Sequence, residues 1–502
     1  MVWAYGNSSS STRKLAVQLS SNLPTAHSPD PPRSRCSNLD VFLPDNSRGT
    51  TGISTFNDRS FTPEALFQSE PLCGWEFKNG LRTRNDSGSH HPARPIAHSA
   101  SHNDELVPVT ATVDLAALRH NVRALQARAQ GADLMAIVKA DGYGHGALPI
   151  TRVLRDEGVR HFAVARPAEG IRLREAGVSG RILVLGAPFP DHLSVYSEHN
   201  LDLTVSSADT AAAACEHGTR DAPLRVHVKV DTGMGRIGLP LDNAPTVVAQ
   251  LADAPGVRLA GVWTHFATAD EPESDFARTQ LDRFESVLDE IGADPSVSPE
   301  HIHAANTGAL LTIGSRAHRH SAPLVRTGIA LYGLTASRAL DARIDLTPVM
   351  RLRARVTHLK TVPADTPISY GATWRASRPS RIATLGVGYG DGYPRLCSGR
   401  ASVRIGGTER PIVGTICMDM CMVDLGPPDA PAAQRVDVGD EATLFGADSP
   451  TLYDVADWAE TIPYEICCGI SPRVPRRYVD ATTETTATGR DSTPFSRPQP
   501  KI

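Results

Sequence analysis

The sequence predicts an α/β protein, a (β/α)8 TIM-like barrel followed by a mostly β C-terminal domain. Short β-branched runs alternate with helical patterns through the middle of the chain, the mark of parallel βαβ units. Eight such runs fall within about 230 residues, the usual span of a barrel of this kind. Beyond about residue 345 the texture changes to period-two alternation, as in Arg351-Leu-Arg-Ala-Arg-Val356, broken by Gly and Pro turns.

In chain order, residues 1–105 are rich in Ser, Pro, Asn, Asp and His and offer too little apolar surface to offset chain entropy, so they are expected to form a disordered extension. The barrel is expected over 106–344. Its strands read as Leu134 to Lys139, His161 to Ala165, Arg181 to Gly186, Leu201 to Val205, Leu224 to Val230, Leu259 to Phe266, His301 to Ala305 and Leu324 to Leu331. Between them lie helix signals such as Arg166-Pro-Ala-Glu-Gly-Ile-Arg-Leu-Arg-Glu-Ala-Gly177, with Pro near the start and Gly at the end. The β domain follows over 345–480, and 481–502 reads as a disordered tail.

The net charge is −4 and the basic residues are scattered, which argues against nucleic acid as a main partner and favours a small-molecule enzyme. No window approaches the apolar length of a membrane span, and the best apolar stretch near the N-terminus is Leu15-Ala-Val-Gln-Leu19, so a cytoplasmic protein is expected. The eight cysteines, at 36, 73, 215, 397, 417, 421, 467 and 468, show neither zinc spacing nor the density of a disulfide scaffold; free thiols and no metal site are expected.

The chemistry gathers where a barrel places it, at the C-terminal ends of the strands. Lys139 ends the first strand, in Ala136-Ile-Val-Lys-Ala-Asp-Gly-Tyr-Gly-His-Gly146. Alone it reads first as a surface lysine opening a loop. Around the same rim, however, fall Tyr143, Asp231-Thr-Gly-Met-Gly-Arg236, Thr264-His-Phe-Ala-Thr-Ala-Asp270, Asn306-Thr-Gly308, and Arg326-Thr-Gly-Ile329 within the eighth strand. Barrels often bind phosphate with the loops after strands seven and eight, where Thr307 offers a hydroxyl and Gly328 an approachable N–H. A phosphate there and a lysine on the first strand suggest an aldehyde cofactor held as a Schiff base.

Val138-Lys-Ala-Asp-Gly-Tyr-Gly-His-Gly146, Lys229-Val-Asp-Thr-Gly-Met-Gly-Arg-Ile-Gly238, Thr264 to Asp270, Arg326-Thr-Gly-Ile-Ala-Leu-Tyr-Gly333, Ser369-Tyr-Gly-Ala-Thr373 and Cys417-Met-Asp419, in that order, closely resemble the alanine racemase family. The resemblance covers about residues 106–480. It implies a barrel that binds pyridoxal 5'-phosphate, a C-terminal β domain, and a homodimer in which each active site takes residues from the partner's β domain. The implied reaction interconverts L- and D-alanine, supplying D-alanine for peptidoglycan.

By the same resemblance, Lys139 carries the cofactor and serves as the base on one face of the substrate Cα. Burial beside a cation lowers a lysine's pKa, which a base at neutral pH requires. Tyr370, from the second subunit, is the group on the opposite face. A phenol is a poor base unless a cation favours the phenolate, and Arg236 matches the arginine that contacts this tyrosine and binds the substrate carboxylate. Lys229 matches a lysine that many members carbamylate; the carboxylate so formed would pair with Arg236. Arg326 matches the arginine that faces the cofactor's pyridine nitrogen. Arginine gives up no proton, so that nitrogen stays an acceptor and the ring a weaker electron sink, which favours racemisation over transamination. His265 matches the histidine packed on the ring. Tyr143, Thr307, Gly328 and Ile329 are the implied phosphate ligands, with Met418 (through its backbone amide) at the substrate carboxylate and Tyr389 near the entrance.

Two positions depart from the pattern. Pro472 precedes Arg473-Val-Pro-Arg476 where some members have a tyrosine that reaches the phosphate, which leaves tolerance of serine open. Asp141-Gly142 replaces Asn-Ala. Competing readings are a non-catalytic pyridoxal-phosphate carrier, which would lack the β domain; a decarboxylase of this fold type, which would place an acid where Arg326 stands; and a broader amino-acid racemase.

Overall fold

The computed structural model describes residues 106–480 apart from 319, 321, 322 and 449. The expected extension at 1–105 and tail at 481–502 lie outside the described residues. Eight parallel strands, Asp133–Ile137, His161–Val164, Arg181–Val184, Asp202–Val205, Leu224–Lys229, Val257–Trp263, His301–His303 and Leu324–Thr327, pair in sequence, and the eighth pairs with the first. Isolated bridges at Ile302–Pro323 and Asn306–Arg326 join the seventh to the eighth and close the ring. These strands are buried on both faces, so they read as continuous apolar runs rather than alternating ones. Local signals set the helices between them. Ser207 caps Ala208–His217 by accepting from the Thr210 N–H, and Pro167–Glu175 opens on its proline and is followed by Gly177 at φ +76°.

Most strand ends differ by a few residues from the sequence reading, and two of the differences bear on the site. The first strand stops at Ile137, and Lys139 begins a tight turn instead of ending the strand. The eighth stops at Thr327, because Gly328 (φ −114°, ψ −102°) leaves β geometry and Ile329–Tyr332 coils into a 3-10 turn.

The second domain is a closed antiparallel circuit. The long strand Met350–Val362 alternates in burial over its first half and shifts register between Val356 and His358. It thereby pairs with Glu441–Phe445 through one half and Ser380–Leu385 through the other, and the strands Cys421–Asp424, Thr408–Val413 and Ser402–Ile405 complete the ring. A division at 344/345 misses one strand of this sheet. Val109–Asp114 pairs antiparallel with Met350–Val362 and parallel with Arg476–Val479. Its alternating face needs the β domain to cover it, and Asp114 then caps the helix Leu115–Ala129 that leads into the barrel. The cysteines at 215, 397, 417, 421, 467 and 468 are free thiols, and among the described residues no helix is long and apolar enough to cross a membrane.

The β domain is fastened to the barrel beside Lys139. Arg476 donates to the Gly144 carbonyl (3.1 Å) and the Tyr478 hydroxyl to that of His145 (3.1 Å). Within the helix Leu115–Ala129, the fully buried Asn121 amide donates to the carbonyls of Leu331 (3.1 Å) and Thr347 (2.8 Å) and accepts from the Thr347 N–H (2.8 Å). Truncation would leave these groups unmade at about 1–3 kcal/mol each. Asn121→Ala is expected to lose about 3 kcal/mol in urea unfolding; a loss under about 1 kcal/mol would contradict this account.

Candidate active site

After Lys139 the backbone turns left-handed and stays so through Gly144. Ala140, Asp141, Gly142 and Tyr143 have φ of 53°, 51°, 63° and 52°, and Gly144 follows at 79°. Bonds from the Gly142 N–H to Val138 and from the Gly144 N–H to Ala140 make this a left-handed helical turn. L-residues resist that hand by about 1–2 kcal/mol each, and three of the five are not glycine. Glycine is required at 144, where a Cβ would lie 2.2 Å from the Cys467 carbonyl oxygen. This turn sets Lys139 at its start and seats Tyr143, buried, against Tyr332 (5.1 Å between ring centres) and Tyr464 (5.9 Å).

Lys139 is half-buried. Burial holds its pKa below the usual lysine value, Arg236 pushes the same way, and Cys468 and Glu169 oppose them. Lys229 ends the fifth strand at 1% exposure, with its ammonium 5.1 Å from the centre of the Trp263 ring. Burial first, then Arg326, lowers it to about 7, so a large share of it is neutral and nucleophilic at neutral pH. Arg236 stands exposed on the following loop. The one acid of its motif, Asp231, is occupied by the backbone amides of Gly233 and Gly235.

Arg326 is buried at the barrel mouth. It donates to the carbonyls of His303 (2.6 Å), Thr264 (2.7 Å) and Ala304 (3.0 Å), and lies 5.0 Å from the Trp263 ring centre. Burial, then Arg236, lowers it to about 9, which still leaves a cation at neutral pH. Because a guanidinium only donates, it assigns tautomers to its neighbours. His265 Nδ1, 3.2 Å away, accepts and its proton sits on Nε2. His303 Nδ1 accepts at 3.3 Å, so its Nε2 donates to His227 Nδ1 (3.0 Å), and His227 Nε2 donates to the buried Asp202 (3.4 Å). All three imidazoles are held neutral, by burial first and cations second for His265; His227 is held at about 3.

Beside this network the ends of the first and eighth strands meet. Ala136 is in register with Thr327, and a Cβ on Gly328 would fall 2.8 Å from the Tyr143 hydroxyl. The bridge between Asn306 and Arg326 brings Thr307 alongside the turn that begins with Gly328 and Ile329. A hydroxyl-lined niche that a side chain at 328 would fill thus lies one strand from Lys139, with Arg326 lower in the same strand. These residues fit a cofactor with an aldehyde, an anionic arm and a ring nitrogen.

The remaining predicted residues lie together on the β domain. Ser369, at φ 68°, and Gly371, at 74°, thrust Tyr370 outward, and Tyr370 is 73% exposed. Thr415 accepts from Ser369 and donates to the Tyr370 carbonyl. Two residues on, Cys417 and Met418 accept from the N–H groups of Tyr389 and Gly390. Tyr370, Tyr389 and Met418 therefore share one exposed edge, with no bond to Lys139 among the described residues. Pro472 is exposed, and its neighbour Arg473 clamps this edge by donating to Asp391 (2.7 Å) and Asp419 (2.6 Å).

Sequence reasoning missed Arg473, Cys468, Gln280, Glu169 and the His303–His227–Asp202 chain. Gln280 is fully buried and ties the fifth and sixth loops by bonds to Thr232, His265 and Ala267. Only Glu169 carried a legible signal, as the acid in the first turn of a helix that opens on proline.

The chain matches the family models described as alanine racemase, N-terminal domain, over residues 113–336, and alanine racemase, C-terminal domain, over 349–478. It is similar to the alanine racemase of Desulforamulus reducens (40% identical over 377 residues, 74% of this chain and 99% of the relative). It is also similar to that of Symbiobacterium thermophilum (42% over 379 residues, 75% and 98%). Among solved structures it resembles the alanine racemase from D-cycloserine-producing Streptomyces lavendulae, with a TM-score of 0.68 and 40% identity over 74% of this chain and 97% of that one. The Bacillus anthracis alanine racemase with bound L-Ala-P gives 0.67 and 33% over 74% and 95%.

The site also sets an acid limit. His145 is fully buried against Tyr332, with its Nδ1 2.9 Å from the Tyr143 carbonyl oxygen, and burial lowers it from 6.5 to about 4. The unfolded chain takes up this proton below 6.5 and the folded protein only near 4, so stability falls as pH drops through that window. The loss from this residue reaches on the order of 3 kcal/mol. Urea unfolding at a series of pH values should show a shallower acid decline in His145→Gln; an unchanged decline would locate the acid sensitivity elsewhere.

Proposed function

The chain belongs to the alanine racemase family, and we propose that Lys139 and Tyr370 are the two groups that move the proton in its reaction. It is a pyridoxal 5'-phosphate-dependent isomerase that interconverts L- and D-alanine. When bound, the cofactor supplies an electron sink that acidifies the substrate Cα–H. Lys139 would hold its aldehyde carbon, Tyr143, Thr307, Gly328 and Ile329 its phosphate, and Arg326 would face its ring nitrogen as a donor.

The observation that carries the reading is the separation of the two candidate bases. Racemisation takes a proton from one face of a carbon and returns one to the other, which a single lysine on one rim reaches poorly. Lys139 is half-buried in the barrel mouth with a lowered pKa, ready to accept a proton. Tyr370 projects from the other domain, exposed, on an edge shared with Tyr389 and Met418. We therefore read the working enzyme as a homodimer, in which the tyrosine of one copy faces the lysine of the other. Arg236 would bind the substrate carboxylate with the Met418 amide, and Tyr389 would narrow the entrance. The narrow entrance supports alanine as substrate, and from the family we read the enzyme as cytoplasmic and as a supplier of D-alanine for peptidoglycan.

Lys229 supports a further part of the reading. A buried amine with a pKa near 7 is the form that adds carbon dioxide, and the resulting carboxylate would give Arg236 an anionic partner. In 13C-bicarbonate, a carbamate resonance is expected that is absent in Lys229→Arg and weakens below about pH 7 as the amine protonates; its absence at pH 8 would exclude the modification.

The test of the two bases uses D2O. Tyr370→Phe is expected to cut racemisation by about 10²–10⁴-fold, the usual worth of a general base. Cα exchange should persist from one enantiomer and vanish from the other. Equal loss of exchange from both would remove Tyr370 from the mechanism.

A further inference from the structure

Lys139 sits at the start of a strained turn, and one distant side chain holds the peptide that follows it. The amide joining Lys139 to Ala140 points its N–H at Glu169 Oε1, 2.7 Å away, from 29 residues along the chain. The other oxygen, Oε2, accepts from the N–H groups of Ala165 (2.7 Å) and Arg166 (3.0 Å), at the end of the second barrel strand. A helix cap explains Oε2, since Glu169 is the third residue of Pro167–Glu175 and its carboxylate reaches back to the Arg166 N–H, the acidic half of a capping box. It does not explain Oε1. That oxygen leaves its own helix for a neighbouring βα loop, where the ladder has ended at Ile137.

We propose that Glu169 is a positioning residue for the cofactor lysine, its carboxylate bridging the peptide after Lys139 to the end of the adjacent strand. The inference rests on the reading of Lys139 given above. The bridge fixes the plane of the Lys139–Ala140 peptide, and hence the direction in which the lysine side chain leaves the backbone. Charge-assisted bonds of this length suit the task, being short and strong. Glu169 also brings the one carboxylate among the groups that act on the Lys139 amine. Arg236 from the fifth loop, His265 from the sixth and Cys468 from the helix Pro463–Gly469 are the others. The carboxylate favours the ammonium, while burial and Arg236 oppose it.

The test compares the full-length wild type with Glu169→Gln and Glu169→Asp. Cofactor affinity is read by absorbance on adding pyridoxal phosphate to the stripped protein. The protonation midpoint of Lys139 is read in that stripped protein from the pH dependence of its acetylation by acetic anhydride, resolved by peptide mass spectrometry. Glu169→Gln offers one acceptor where two are used and carries no charge. It is expected to bind pyridoxal phosphate about tenfold more weakly, as misplaced groups do, and to move the Lys139 midpoint to lower pH. Glu169→Asp keeps the charge on a shorter arm, so it should restore the midpoint and leave affinity low. A role confined to capping the helix would lower the melting temperature of both and move neither readout. Affinity within twofold of wild type in either variant, or an unmoved midpoint in Glu169→Gln, overturns the proposal. Borohydride reduction of the loaded wild type separates the two readings: a label on another lysine sinks both, whereas a label on Lys139 with unmoved readouts sinks this one alone.

Discussion

The left-handed turn from Ala140 to Gly144 is the constraint around which the site is built. Three of its residues carry a Cβ in a conformation that L-residues avoid, at roughly 3–6 kcal/mol in all. Such a turn persists only where its surroundings over-determine it. Glu169 grips its first amide, Asp141 accepts from the Ala147 N–H at 2.8 Å, and Arg476 and Tyr478 reach in from the β domain. The helix Pro463–Gly469 closes on Gly144 so tightly that only glycine fits. The barrel alone would leave this turn half supported, which gives the β domain a role in the site before any of its side chains meets a substrate.

A second constraint runs inward from the rim. Arg326 can only donate, and from that follow the tautomers of His265, His303 and His227 down to Asp202. Asp202 in turn pairs with Arg181 and Arg225, so the chain ends in a charge balance and leaves no stranded carboxylate. A buried cation fixed this way offers a ring nitrogen a donor whose direction is set beforehand, and it can pass on no proton. The histidines beside it stay uncharged at neutral pH, held so first by burial. The region is rigid by polarity rather than by apolar packing alone.

The barrel was legible in the sequence because parallel strands buried on both faces must be continuous apolar runs, and eight were found where eight strands lie. The strand ends were not. Ile137 ends its strand because the chain beyond it coils into the left-handed turn, where the amides of Gly142 and Gly144 bond within the turn and that of Ala140 goes to Glu169, and no local pattern announces that. Val109–Asp114 was assigned to the wrong side of the domain division for a similar reason, since its partners lie around residues 350–354 and 476–479. Of the site, the residues with unusual chemistry for their place stood out: Lys139 before a run of glycines, Arg326 and Lys229 inside apolar strands. His303 and His227 did not, because a histidine in a strand is ordinarily a satisfied core residue. Gln280 and Arg473 tie loops together, and such roles leave no mark in spacing.

The exposed edge is the last step. Tyr370, Tyr389 and Met418 are drawn from three separate loops, and backbone bonds, a strained serine and an arginine clamp hold them in one place. Strain and order of that kind are unusual on a surface that water alone covers. The same chain keeps its lysine in the barrel mouth with no bond to this edge among the described residues, and under the proposed roles of Lys139 and Tyr370 each copy would carry one half of a two-sided proton transfer. Two bases placed on different domains, as proposed, would solve a geometric problem that one barrel rim cannot. A loop from the same rim would approach the carbon from the lysine's side, whereas a second copy can approach from the other. On this view pairing of chains is part of the chemistry, and a monomer with every site residue intact would still lack one face of the reaction.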